Sequence, residues 1–112
     1  MTNRTAATRY ARALLDVALK EQADLATIES QLAGIAGLFA THEALRKALV
    51  NPAVPVPRKR AAMADLVEKA GVLPVVARTF LLLAERDRLA LVGDLAEAFS
   101  QRLLDLRNVV RA

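Results

Sequence analysis

The stretch at residues 73–91, LPVVARTFLLLAERDRLAL, constrains this chain more than any other. Pro74 suits the first turn of a helix, where a missing N–H has no partner to lose. Val75, Val76, Ala77, Phe80, Leu81, Leu82, Leu83 and Ala84 then cover nearly every helical direction, interrupted only by Arg78 and Thr79. A surface helix carries one apolar stripe, whereas a helix apolar all round must be covered all round. The run is too short for a bilayer span, which takes ~20 apolar residues. It is expected to be either a central core helix, or a helix with one face in the core and another awaiting a partner. The charged cluster Glu85, Arg86, Asp87, Arg88 stops it and turns the chain.

A chain of 112 residues fits one domain with a real core. Hydrophobic residues make up 54% but aromatics only 4%, so the core must be built from Leu, Val, Ile and Ala. That composition favours helices packed through small residues. No sustained period-two alternation and no Asn-Gly or Asp-Gly turn competes as a strand signal. There is no cysteine, which excludes disulfides and thiolate chemistry, and the single histidine, His42, leaves no second imidazole for zinc. The N-terminal MTNRTAATRYARALL lacks the apolar run of a signal peptide, so a cytosolic or organelle-interior location is expected. The net charge of +4 describes either a basic soluble protein or one with an acidic partner.

Asn3 or Thr5 is expected to cap a first helix reaching about Gln22. Ala7, Ala11, Leu14 and Ala18 share one face; Ala6, Tyr10, Ala13 and Val17 share the adjacent one. This helix, like the central one, offers more apolar surface than a single packing contact uses. Either both faces meet neighbours, or one is a docking site. Asp24 caps a second helix with the stripe Leu25, Ile28, Leu32, Ile35 and Phe39. Gly34 and Gly37 within it suggest close approach of a neighbouring helix. Thr41 is expected to cap a short helix over residues 43–50, anchored by Leu45 and Leu49, with His42 an exposed residue at its start.

Residues 51–57, NPAVPVP, form a rigid, extended connector. Pro57 opens a fourth helix to about Ala70, buried through Met63, Leu66, Val67 and Ala70 and stopped by Gly71. Arg58, Lys59 and Arg60 fall in its first turn, where the helix dipole disfavours cations. Such a run is usually solvated; the alternative is a phosphate or acidic partner. After the central helix, a last helix covers about residues 89–108 through Val92, Leu95, Phe99, Leu103 and Leu106, with Gly93 able to bend or delay its start. Val109 and Val110 read as the start of a strand. The whole reads as all-α, a compact bundle of about six short helices in a single domain over residues 1–112.

No glycine-rich phosphate loop, Ser/His/Asp set or Cys/His set can be assembled. The carboxylates fall mostly on polar helix faces. No catalytic residue, cofactor, metal or small-molecule ligand is expected, and a binding or structural module remains.

Three stretches carry a family resemblance: Arg9-Tyr10-Ala11-Arg12-Ala13-Leu14; Leu49-x-Asn51-Pro52; and Phe80-Leu81-x-Leu83-Ala84-Glu85-x-x-Arg88-Leu89, followed by Ala96-Glu97-Ala98-Phe99. In order and spacing the chain resembles the N-terminal domain of the delta subunit of F-type ATP synthase, whose mitochondrial counterpart is the oligomycin-sensitivity-conferring protein. The resemblance implies a non-catalytic stator component that ties the catalytic head to the peripheral stalk during proton-driven ATP synthesis, at the cytoplasmic face of the bacterial plasma membrane. It implies a groove between the first and fifth helices, where the N-terminal helix of an alpha subunit docks. Carried over by position, Tyr10, Ala13, Arg78 and Leu82 would line that groove. Helical spacing adds Ala6, Val17 and Val75, while Leu14, Phe80 and Leu83 would be core.

Two features depart from the family. Glycine is usual where this chain has Asp87, in a turn that favours a left-handed conformation; Asp tolerates that better than most residues. Family members also continue into a C-terminal domain that contacts the stalk's b subunit. This chain is therefore expected to be an isolated N-terminal domain, monomeric alone, without the stalk-binding half. The rival reading is a small all-α RNA-binding domain resembling the Nus-family antitermination factor, with Arg4, Arg9, Arg12 and the run Arg58, Lys59, Arg60 on phosphates. Scarce aromatics and dispersed charge argue against nucleic acid. A homo-oligomer using the same groove is a third possibility.

Overall fold

A computed structural model describes residues 3–111, with side chains through Asn108. The elements are α1 (Asn3–Lys20), α2 (Leu25–Thr41), α3 (Glu43–Val50), α4 (Val56–Ala70), α5 (Pro74–Glu85), a 3-10 turn (Leu89–Leu91) and α6 (Val92–Arg111). The fold is all-α, with no strand among the described residues.

Local chemistry sets most of the boundaries. Asp24 Oδ1 accepts from the backbone N–H groups of Ala26 and Thr27 at 3.1 and 3.3 Å, and so caps α2. Gly71 ends α4 in the left-handed region, at φ 64°, with its N–H donating to Val67 and Glu68 carbonyls. Asn51 Oδ1 accepts from Ala53 N at 2.9 Å and fixes the turn before the proline connector. Three boundary expectations need correcting. Thr5 lies inside α1, which begins at Asn3 and ends at Lys20; Gln22 follows at φ 57°. Thr41 is the last residue of α2, so its hydroxyl donates back to Gly37 O at 2.8 Å and His42 occupies the cap of α3. The chain at Val109 and Val110 is helical rather than extended, because α6 runs on to Arg111; those side chains lie outside the described residues.

α6 is the central packing element, with its widest contacts on α1 and α2, while α4 packs on α5. Ile28, Leu32, Ile35, Phe39, Val92, Leu95, Phe99 and Leu103 are buried as their spacing predicts. Phe80, Leu83 and Phe99 are wholly enclosed, and each phenylalanine contributes about 3–5 kcal/mol relative to alanine. Gly34 and Gly37 are exposed, and a Cβ built on either meets nothing within 4 Å. The close helix approach expected there is absent.

α5 puts one face in the core and leaves another only partly covered. Val75, Val76, Phe80, Leu83 and Ala84 are buried, while Ala77, Leu81 and Leu82 are only half-covered. Its end is a turn with two diagnostic bonds: Arg88 N–H donates to Leu83 O at 2.7 Å, and Asp87 N–H to Ala84 O at 3.1 Å. This is the Schellman pattern, with Asp87 in the left-handed position at φ 56° where glycine is commonest.

The fourth helix holds the largest surprise. Lys59 is 1% exposed, and its Nζ lies 2.6 Å from Asp87 Oδ1. Next to it, Arg60 Nε donates to Glu85 Oε1 at 2.8 Å. The basic run is thus neither solvated throughout nor open to an outside anion: two of its three cations grip the end of α5 and the turn after it. Lys59 stands one turn before Met63 and two before Val67, so the buried face of α4 is displaced toward its N-terminus, and Ala70 is exposed. A buried ammonium demands a partner. Asp87 supplies it, which is a physical reason for a carboxylate where a glycine would relax the backbone.

Candidate functional site

α1 and α5 lie side by side in opposite directions. Tyr10 of α1 meets Arg86 just past the end of α5, and Glu21 just past the end of α1 meets Arg78 within α5. Compared with the α1–α6 and α4–α5 seams, contact here is slight. The reason is in the side chains: α1 presents Ala6 and Ala13, too short to fill the space. What remains is an open groove of about 480 Å³ lined by Ala6, Arg9, Tyr10, Ala13, Leu82, Arg86 and Arg88.

Its floor is apolar. Ala6 is buried, Tyr10 and Leu82 are half-buried, and Ala13 is exposed. Tyr10 is fixed from the far side: Arg86 Nη1 donates to its hydroxyl at 3.2 Å, and the guanidinium carbon lies 5.9 Å from the ring centroid. That is the outer range of a cation–π contact, worth roughly 0.5–1 kcal/mol at an exposed site.

Four of the seven anticipated residues, Ala6, Tyr10, Ala13 and Leu82, come together in this groove. The other three stand apart. Val17, 39% exposed, continues the apolar line of α1 beyond the groove. Arg78 reaches along the seam to Glu21, with Nη2 at 2.9 and 2.7 Å from the two carboxylate oxygens. Val75 is 5% exposed and belongs to the core. Arg9, Arg86 and Arg88 line the groove without having been anticipated there. Arg9 had a readable signal, since it lies three residues after Ala6 and four before Ala13 on the same helix. Arg86 and Arg88 had none, because the left-handed turn at Asp87 aims them.

The arginines proposed for nucleic acid do not form one surface. Lys59 and Arg60 are paired internally. Arg4 shares a separate pocket with Asp94, Glu97 and Asp105, carboxylates that would repel a phosphate. A phosphate-binding face needs its cations together.

Residues 6–112 match the family described as ATP synthase delta (OSCP) subunit. This chain belongs to that family. The ATP synthase subunit delta of Nitratidesulfovibrio vulgaris (strain DP4) is 39% identical over 99% of the chain and 61% of that protein. That of Anoxybacillus flavithermus is 34% identical over the full chain and 61% of its own length. The chloroplastic ATP synthase delta chain of Chlamydomonas reinhardtii is 33% identical over 80% of the chain and 41% of that protein. The chain therefore spans about three-fifths of the bacterial delta relatives named here. Among the described residues of this delta-family chain, no helix is long and apolar enough to cross a membrane.

Proposed function

We propose that this chain is a non-catalytic stator element of an F-type ATP synthase, docking the N-terminal helix of an alpha subunit between α1 and α5. The observation that carries the reading is the open groove with an apolar floor, beside a helix whose other face is fully packed. Tyr10, Ala13 and Leu82 receive the apolar stripe of the incoming helix, Ala6 lies beneath them, and Val17 and Arg78 extend the contact along the seam. Val75 acts from below, by supporting α5. Membership of the delta family supports the choice of partner.

The physical task is to resist rotor torque, which requires a slow off-rate. A helix laid in a groove achieves this by burying a continuous apolar stripe. Tyr10 adds a large, rigid contact area, and the smallness of Ala13 lets the incoming backbone come close. The head is in this way tied to the peripheral stalk during proton-driven synthesis, at the cytoplasmic face of the bacterial plasma membrane. Contact with the b subunit falls to the part of the relatives' length that this chain does not span.

The test is a titration of a peptide comprising the first ~20 residues of the cognate alpha subunit, a helix roughly 30 Å long, into the chain at low and high salt. Saturable one-to-one binding that persists in high salt is expected, because an apolar floor is not screened. A folded chain that binds no peptide would overturn the reading.

A further inference from the structure

The sequence Glu85-Arg86-Asp87-Arg88 alternates in charge, and the turn sorts it. Both carboxylates point toward α4, Glu85 to Arg60 and Asp87 to Lys59. Arg86 and Arg88 line the groove on the other side, where Arg9 of α1 joins them. No acidic side chain lines the groove. Among the described residues Arg9 and Arg88 make no ion pair, and Arg86 contacts only the neutral Tyr10. Elsewhere Arg46, Lys47, Lys59, Arg60, Lys69 and Arg78 have carboxylate partners; other described cations without one, such as Arg12 and Arg58, stand apart from this groove, and what distinguishes Arg9, Arg86 and Arg88 is that they converge on it. One end of an apolar groove thus holds three uncompensated cations.

We infer that the groove is selective for a helix carrying carboxylates beside its apolar stripe where it passes the α5 turn. The inference rests on the docking reading above and adds the partner's chemistry. Complementary charge at the border of an apolar contact sets register and excludes wrong partners more than it adds affinity. The floor of Ala6, Tyr10 and Leu82 favours a peptide over a bare polyanion, which has no apolar stripe to bury there.

Two 20-residue helical peptides test it, with identical Leu/Ile stripes and flanks of Glu in one and Lys in the other. Fluorescence anisotropy with the wild-type chain at low salt should show the Glu peptide binding about tenfold more tightly, with the gap narrowing in high salt. The double variant Arg9→Glu/Arg88→Glu should reverse the preference. Both residues are exposed, so the fold is expected to survive, and circular dichroism checks this. Arg58→Glu, an exposed site outside the groove, should leave the preference intact; if it erases the preference equally, net charge and not the groove is responsible, and the inference fails. Equal binding of the two peptides to wild type overturns the inference while the docking reading stands. Failure of both to bind a folded chain overturns both. A single-stranded oligonucleotide that binds more tightly than the Glu peptide, and is lost in the double variant, also overturns it.

Discussion

On its α4 side, α5 is sealed: helix packing is dense, Lys59 is enclosed, and its ammonium is clasped by Asp87. On its α1 side the same helix is also crossed by two arginine contacts, Arg86 to Tyr10 and Arg78 to Glu21, yet the seam stays open. The difference is side-chain volume rather than polarity. α4 packs on α5 and carries the buried Met63 and Val67, whereas α1 sets the small Ala6 and Ala13 beside Arg9 and Tyr10 along its seam. A salt bridge over a filled seam becomes structural, because removing one partner strands a buried charge. A polar contact over an unfilled seam stays exchangeable, because water can replace it. The closed side holds the turn.

The strongest way to break this comparison is at Asp87. Asp87→Asn leaves Lys59 without its counter-charge and is expected to cost about 2–3 kcal/mol of stability, less than for a fully enclosed pair because the Asp87 side chain is 45% exposed. Arg86→Ala on the open side should cost under about 1 kcal/mol. Asp87→Gly isolates the cause: it relieves the left-handed backbone, yet should still destabilise by roughly 2 kcal/mol because the ammonium remains unpaired. Pairing that change with Lys59→Met should recover most of the loss. Urea unfolding followed by circular dichroism reads all four. Equal costs at Asp87 and Arg86 would mean that the two seams do not differ in kind.

Ala13→Asp comes next, and it acts on docking rather than on stability. Ala13 is exposed, and a carboxylate there stands four residues after Arg9 on the same helix, so the free chain should remain folded. Seating an apolar stripe over that carboxylate would desolvate it, and affinity for the alpha-subunit peptide should fall on the order of a hundredfold. Loss of helical circular dichroism in this variant would instead place Ala13 in the core and close the open seam.

How far the sequence shows these two seams depends on the range over which each signal acts. Periodicity is local, so the stripe from Ile28 to Phe39, the Asp24 cap, the Gly71 stop and the over-apolar character of α1 and α5 were all legible. The left-handed turn at Asp87 came only through the family resemblance, which puts glycine there. Lys59 was half legible: it sits in register with Met63 and Val67, but a lysine on an apolar stripe has no meaning until its partner is known. That partner lies 28 residues away. The Arg86–Tyr10 contact spans 76 residues and depends on how two helices cross. Gly34 and Gly37 misled because a missing side chain permits close packing without requiring it. Thr41 misled for a simpler reason, since a hydroxyl at a helix boundary can serve the helix behind it as well as the one ahead.

The smallest expected effect sharpens the comparison most, because it asks where the open seam ends. Arg78 and Glu21 are 59% and 46% exposed, and pairs of that kind contribute about 0.2–1 kcal/mol. Arg78→Ala should therefore barely move the unfolding midpoint. Docking is the better readout. A helix of ~20 residues is roughly 30 Å long, and Val17 carries the apolar line of α1 past Leu82 toward this pair. If the occupant follows that line, the stem of Arg78 covers its far end, as such long side chains do. Affinity for the alpha-subunit peptide should then fall about threefold, by roughly 0.7 kcal/mol. An unchanged affinity would confine the occupant to the stretch between Tyr10 and Leu82, and the Arg78–Glu21 pair would then act only as a strut holding α1 and α5 apart.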